Sequence, residues 1–216
     1  MSYSLAIFDL DGTILHTLTD LEISLNYALT QLQFPTRTSA EVQRFIGNGM
    51  LKLIERATAP NATEEERAEV YRVFTDHYAA HCVDHTRPYD GIPALLSQLA
   101  EQGLRLAVVS NKDDYAVREL CQRYFPGAFA FAVGRREGIP KKPAPDLVNL
   151  VLQELKIPAK DAVYIGDSDV DMETARNAGM DCISVTWGYR DTDFLRAHGA
   201  SVLVDTPEAL LKKILA

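Results

Sequence analysis

Short apolar runs recur along the chain, each bounded by polar or turn-forming residues. The first, within residues 1–10, reads Ser-Leu-Ala-Ile-Phe-Asp-Leu, and similar runs follow at 104–110, 129–133, 162–166, 182–186 and 201–204. Runs of this kind suit strands covered on both faces, where no alternation with polar residues is needed. Helical patterns separate most of them. Strands alternating with helices predict βαβ units, and so an α/β fold: a doubly wound, mostly parallel sheet with helices on both faces.

Residues 15–82 break this rhythm, with helical patterns and no convincing strand. Thr19 with Glu22, Thr38 with Glu41 and Thr63 with Glu66 each have capping-box spacing at an expected helix start. Leu21, Leu25, Leu29 and Leu32 then line one face of the first helix. A second helix is expected to stop near Gly47, in Phe-Ile-Gly-Asn-Gly-Met. The stretch is predicted to be a helical insertion over the strand ends, a small cap domain at 15–82. The core domain then comprises 1–14 and 83–216, with the return to it marked by Pro88 and Pro93.

Ligands of open α/β sheets bind beyond the carboxyl ends of the strands, and four reactive segments are expected there. In Asp9-Leu10-Asp11-Gly12-Thr13, two carboxylates begin on the same side of a strand. Burial would raise the pKa of at least one of them, and a divalent cation would relieve the conflict. Asp11 could then act as a general acid and base, while Gly12 permits a turn that brings backbone close to a phosphate. A plain strand-end turn is the competing reading. Ser110-Asn111-Lys112 offers a hydroxyl and backbone N–H groups that can hold phosphate oxygens, or merely a helix N-cap. Lys142, in a loop fixed by Pro143 and Pro145 before a helix expected at Asp146, could neutralise a phosphoryl group or could be a solvated charge. Gly166-Asp167-Ser168-Asp169-Val170-Asp171 concentrates acids that suit a hard cation. An EF-hand loop is excluded there, because Met172 stands where that loop needs Gly and Ala178 where it needs Glu. Asp167 is the expected direct ligand, with Asp171 in support.

Composition narrows the possible partners. Of 216 residues 47% are hydrophobic and 24% charged, which suits a packed globular protein. The formal net charge of -8 argues against nucleic acid or an anionic membrane as the main partner. Cys82, Cys121 and Cys182 are scattered and are expected to be buried thiols in a reducing compartment. No secretory leader pattern and no apolar run near roughly 18 residues is present, so a soluble cytoplasmic protein is expected. His77, His81 and His85 are spaced by four without an acidic partner in the pattern, and are read as a solvated helical face.

Together, Asp9-Leu10-Asp11-Gly12-Thr13, Ser110, Lys142 before Pro143, and Gly166 to Asp171 resemble the signature elements of the haloacid-dehalogenase superfamily of phosphatases. The resemblance implies that Asp9 attacks phosphorus to form an aspartyl-phosphate. Asp11 would protonate the leaving group and then activate water. Mg2+ would be held by Asp9, the main-chain carbonyl of Asp11 and Asp167, with Asp171 supporting. Ser110 and Lys142 would bind the transferring phosphoryl group, with Gly12, Thr13 and Asn111 lining its site. Within the superfamily the likeness extends to bacterial phosphoglycolate phosphatases. Arg44-Phe45-Ile46-Gly47-Asn48-Gly49 is similar to the cap segment that meets substrate there, which adds Arg44, Gly47, Asn48 and Gly49 as expected contacts. Thr186-Trp187-Gly188-Tyr189, Gly199-Ala200 and Val204 to Pro207 resemble their C-terminal signature. His16 and Arg190 depart from that pattern, which commonly has Asp and a small residue. The expected protein is a Mg2+-dependent phosphomonoesterase acting on a small phosphorylated metabolite, as a monomer or homodimer. A phosphosugar, nucleotide or pyrophosphate hydrolase, a phosphomutase, and a receiver-type signalling domain remain alternatives.

Overall fold

The computed structural model describes residues 3–60 and 62–216; Met1 and Ser2, which open the first apolar run, lie outside the described residues. In chain order the elements are β1 (Leu5–Phe8), β2 (Leu15–His16), α1 (Leu18–Gln31), α2 (Ser39–Phe45), α3 (Met50–Thr58) and α4 (Glu64–His81). Then come β3 (Arg87–Pro88), α5 (Ile92–Glu101), β4 (Arg105–Asp113), α6 (Asp114–Tyr124), β5 (Phe131–Arg135) and α7 (Asp146–Leu155). The chain ends with β6 (Ala162–Gly166), α8 (Asp169–Asn177), β7 (Asp181–Val185), α9 (Thr192–Ala197), β8 (Leu203–Val204) and α10 (Pro207–Leu215). It divides into two compact units, one of residues up to Leu15 with Pro88–Ala216, the other His16–Arg87.

The larger unit is built on a sheet of order β5-β4-β1-β6-β7-β8, and every pairing is parallel. Its central strands are apolar throughout because both faces are covered: Leu5, Ala6, Ile7 and Phe8 have no exposed surface. On one face Leu5, Ile7, Val109, Val133 and Tyr164 pack with Leu147, Val148 and Val151 of α7. From β1 the chain builds outward through β4 to β5, then returns to the other side of β1 with β6. The strand order therefore reverses at β1. Leu5 pairs with both Arg105 and Ala162, and Phe8 with both Val108 and Ile165, so the carboxyl ends of β1, β4 and β6 finish side by side. A reversal of this kind leaves a crevice at the strand ends.

The smaller unit is helical, as its pattern predicts. Thr38 and Thr63 form complete capping boxes with Glu41 and Glu66. Thr19 does not: α1 starts two residues earlier, after Thr17, with no side-chain cap. Asp20 in its first turn instead reaches back to the segment after α4, accepting from the N–H groups of His85 and Thr86 and from the Thr86 hydroxyl. That tie keeps the segment in the helical unit, so the boundary falls at Arg87, past the expected Cys82. Leu21, Leu25 and Leu29 are buried along α1, while Leu32 is its half-buried C-cap. Among the described residues, no helix is long and apolar enough to cross a membrane.

Candidate active site

Asp9 follows β1 directly, and its N–H continues the ladder to the Ile165 carbonyl at 2.9 Å. The chain then folds back tightly: the Leu10 carbonyl accepts from the N–H groups of Ile14 and Leu15 at 3.1 and 3.0 Å. Gly12 turns this corner at φ 83°, where a side chain would be strained, and a Cβ there would strike the Asp167 carboxylate and the Tyr189 ring. Gly188 would also strike Asp167, and Gly166 would strike Asp171. Three bare positions thus make room for two carboxylates.

Those carboxylates come from the end of β6 and the start of α8. The Asp171 side chain accepts from the Ser168 hydroxyl at 2.6 Å and its N–H at 3.1 Å, which fixes the turn. Asp167 accepts from the Tyr189 N–H at 2.7 Å and the Thr13 hydroxyl at 3.2 Å. The Thr13 carbonyl in turn accepts from Trp187 Nε1 at 3.0 Å. Asp9, Asp167 and Asp171 are all buried, and one oxygen from each lies within 4.8 Å of the others.

Lys142 enters this group with only 1% of its side chain exposed. Its Nζ lies 2.7 Å from Asp171 Oδ1 and 3.0 Å from Asp9 Oδ1, and donates to the Tyr164 hydroxyl at 3.0 Å. The Tyr164 hydroxyl donates onward to the Val109 carbonyl at 2.9 Å. Asn111 Nδ2 holds the Lys142 carbonyl at 3.1 Å, tying the loop to the end of β4, where Ser110 is buried as well. Asp11 is not part of the acidic trio. Its carboxylate turns to Lys112, whose Nζ donates to both oxygens at 2.9 and 3.1 Å.

Three buried carboxylates around one ammonium leave an excess of negative charge. Burial pushes Asp9 up to about 6, with Asp171 and Asp11 adding to the rise and Lys142 opposing it. Burial, then Asp171 and Asp9, push Asp167 up to about 8 against the Tyr189 N–H and the Arg190 charge. Burial alone would lower Lys142, but Asp171 and Asp9 beside it outweigh that and hold it well above the ordinary lysine value. Among the described residues, Asp9 Oδ1 is buried with no aligned hydrogen-bond partner, beside its ion-pair contact with Lys142. An orphaned carboxylate oxygen and two carboxyls reluctant to ionise are what a divalent cation resolves, so this all-oxygen group could hold one.

The remaining expected residues lie in the helical unit. Arg44 is in the last turn of α2, and Gly47 and Gly49 take φ of 114° and 85° in the turn to α3 around Asn48. His16 is also there, its pKa lowered by burial and by Arg87. The histidine face has an acidic partner that the spacing hid: His81 Nδ1 meets Asp84 Oδ2 at 2.8 Å, while His77 Nδ1 meets the Ser24 hydroxyl at 3.0 Å. Arg190, in the larger unit, lies 5.6 Å over the Phe194 ring.

Sequence reasoning missed Tyr164, Tyr189 and the side chain of Lys112. Tyr164 is the one hydroxyl-bearing residue within the Ala-Val-Tyr-Ile-Gly strand, which is a usable signal. Tyr189 contributes a backbone N–H, which no residue type reveals.

The family model of haloacid dehalogenase-like hydrolases matches residues 6–185. A phosphoglycolate phosphatase of Aquifex aeolicus is 33% identical over 85% of this chain and 84% of its own. One from Vibrio parahaemolyticus is 29% identical over 96% of this chain and 94% of its own. A crystal structure from Lactobacillus delbrueckii subsp. bulgaricus, assigned as a phosphoglycolate phosphatase, superposes with a TM-score of 0.95 at 41% identity over all of both chains. The chain belongs to the haloacid dehalogenase-like hydrolases and is a phosphatase of that family.

Proposed function

We propose that the chain hydrolyses a short phosphomonoester of the 2-phosphoglycolate type in two displacements at Asp9, with Mg2+ as its metal. The observation that carries this reading is the buried Asp9 carboxylate, held between Lys142 and the Asp167–Asp171 pair at the reversal of strand order. Phosphoryl transfer demands positioning and charge neutralisation more than strong acid–base chemistry, and a carboxylate nucleophile divides hydrolysis into two easier steps.

In the first displacement an Asp9 oxygen bonds to phosphorus while Asp11 gives its proton to the departing ester oxygen. In the second, Asp11 takes a proton from water as the water oxygen displaces Asp9 from phosphorus. The Ser110 hydroxyl and Asn111 hold phosphoryl oxygens, Gly12 and Thr13 line their site, and Lys142 neutralises their charge. Asp9, Asp167 and the Asp11 main-chain carbonyl would hold the Mg2+, with Asp171 behind them; when bound, it supplies positive charge beside the phosphoryl oxygens. Arg44, Gly47, Asn48 and Gly49 carry substrate recognition. The names of the relatives support phosphoglycolate as the substrate type.

The test is phosphate release from a panel of phosphoesters that includes 2-phosphoglycolate, with and without Mg2+, for wild type and Asp9→Asn. Mg2+-dependent turnover that prefers phosphoglycolate and vanishes in Asp9→Asn is expected. Turnover that survives Asp9→Asn would remove the nucleophile. Preference for a phosphosugar, nucleotide or pyrophosphate would leave the chemistry and overturn the substrate.

A further inference from the structure

Lys112 is the penultimate residue of β4, and its side chain has no exposed surface, whereas that of its partner Asp11 is 13% exposed. An ammonium taken out of water needs a charged partner, and here it binds both oxygens of one carboxylate. Its backbone is confined as well. The β4–β5 register shifts between Val109 and Asp113, and a Cβ on Gly134 of β5 would collide with the Lys112 carbonyl and the Asp114 backbone. Gly134 N–H donates to Asp114 Oδ1 at 2.9 Å, and Arg135 Nε to Asp113 Oδ1 at 2.8 Å, clamping the strand just beyond the lysine. A fixed backbone and an enclosed stem confine the ammonium, and its bonds to both oxygens orient the Asp11 carboxylate.

We propose that Lys112 is a positioning residue that holds the Asp11 carboxylate ready to activate water in the second displacement. This rests on the two-displacement reading above. The ammonium already binds both Asp11 oxygens in the resting structure, and the second displacement uses the carboxylate in that bound, ionised form. The water oxygen then bonds to phosphorus and one water proton passes to Asp11. The bond from phosphorus to Asp9 breaks, its electron pair returns to the Asp9 carboxylate, and phosphate leaves. A base acts only within hydrogen-bond reach of the proton it takes, and a misplacement of ~1 Å can cost about 10²-fold. Without Lys112, Asp11 loses both bonds to the ammonium, and breakdown of the aspartyl-phosphate slows while its formation from a good leaving group does not.

The experiment is rapid-quench hydrolysis of p-nitrophenyl phosphate with Mg2+, following nitrophenolate and protein-bound phosphate together. Lys112→Met is expected to give a burst of nitrophenolate, a steady state slower by about 30-fold, and accumulated phosphoenzyme. Lys112→Arg should recover most of the rate and lose the accumulation. Should Lys112→Met not fold, Lys112→Gln, which keeps an uncharged N–H donor group, is expected to accumulate phosphoenzyme to a smaller extent. An unchanged phosphoenzyme fraction in these variants, whatever the overall rate, overturns the proposal and leaves the two-displacement reading intact. Absence of phosphoenzyme from every variant, together with turnover by Asp9→Asn, overturns both.

Discussion

Asp20 in the helical unit and Asp167 in the sheet unit are buried to the same degree, each with 2% of its surface exposed. Asp20 is surrounded by neutral donors: two backbone N–H groups and a hydroxyl point at its oxygens, between 2.8 and 3.1 Å away. Asp167 has one N–H and one hydroxyl and shares its space with two further carboxylates. The first arrangement finishes a fold, since it ties the end of an excursion to its beginning. The second leaves charge unresolved, which is a state that a metal and a phosphoryl group can use. Burial alone does not separate structural from reactive carboxylates; what separates them is how fully the surroundings satisfy the ionised form.

This contrast can be broken by exchanging what each residue loses. The largest effect is expected for Asp9→Asn, with activity down on the order of 10⁵-fold and the melting temperature unchanged or raised, because one negative charge leaves a crowded group. Asp20→Ala should do the opposite. Orphaning its donors should cost about 2–4 kcal/mol in denaturant melts, while phosphate release per folded molecule stays at the wild-type value.

The metal sharpens the contrast through pH. The folded pKa of Asp167 is about 8 against an ordinary 3.8, so the metal-free fold holds this proton more tightly than the unfolded chain does. The stability it contributes is complete below the ordinary value and is lost as pH rises through about 8. A cation must displace the same proton, so binding strengthens over that rise. Calorimetry should show Mg2+ stabilising the fold more at pH ~8.5 than at pH ~6. The gain should approach about 2.7 kcal/mol at a hundredfold excess over its dissociation constant. The smallest effect belongs to an element outside both carboxylate sites: Thr38→Ala removes one half of a capping box and should cost about 1 kcal/mol, with turnover of the folded enzyme unchanged.

The sheet was legible because its central strands are buried on both faces, and double burial leaves an uninterrupted apolar run in the sequence. The helical insertion was legible from the same absence of strand runs and from two genuine capping boxes. Thr19 misled because Thr-x-x-Glu also occurs inside a helix: Thr19 is the second residue of α1, whose first turn also holds Asp20. Asp9, Ser110 and Asp167 stood out as polar residues at or just beyond the ends of apolar runs, and Lys142 as a lysine in a loop fixed by Pro143 and Pro145. The pairing of Asp11 with Lys112 did not, because the partners are 101 residues apart and meet only through the strand order. The pairing of His81 with Asp84 is local, yet it arises after α4 ends, where helical periodicity no longer applies. Tyr189 binds Asp167 through its backbone, and side-chain identity carries no trace of that.

The most direct test of the central claim is mass spectrometry of the enzyme, quenched in acid during turnover with Mg2+ and a phosphomonoester, then digested. The account predicts a phosphoryl adduct on the peptide that contains Asp9, absent from Asp9→Asn. Steady turnover with no adduct, or an adduct on any other residue, would contradict it.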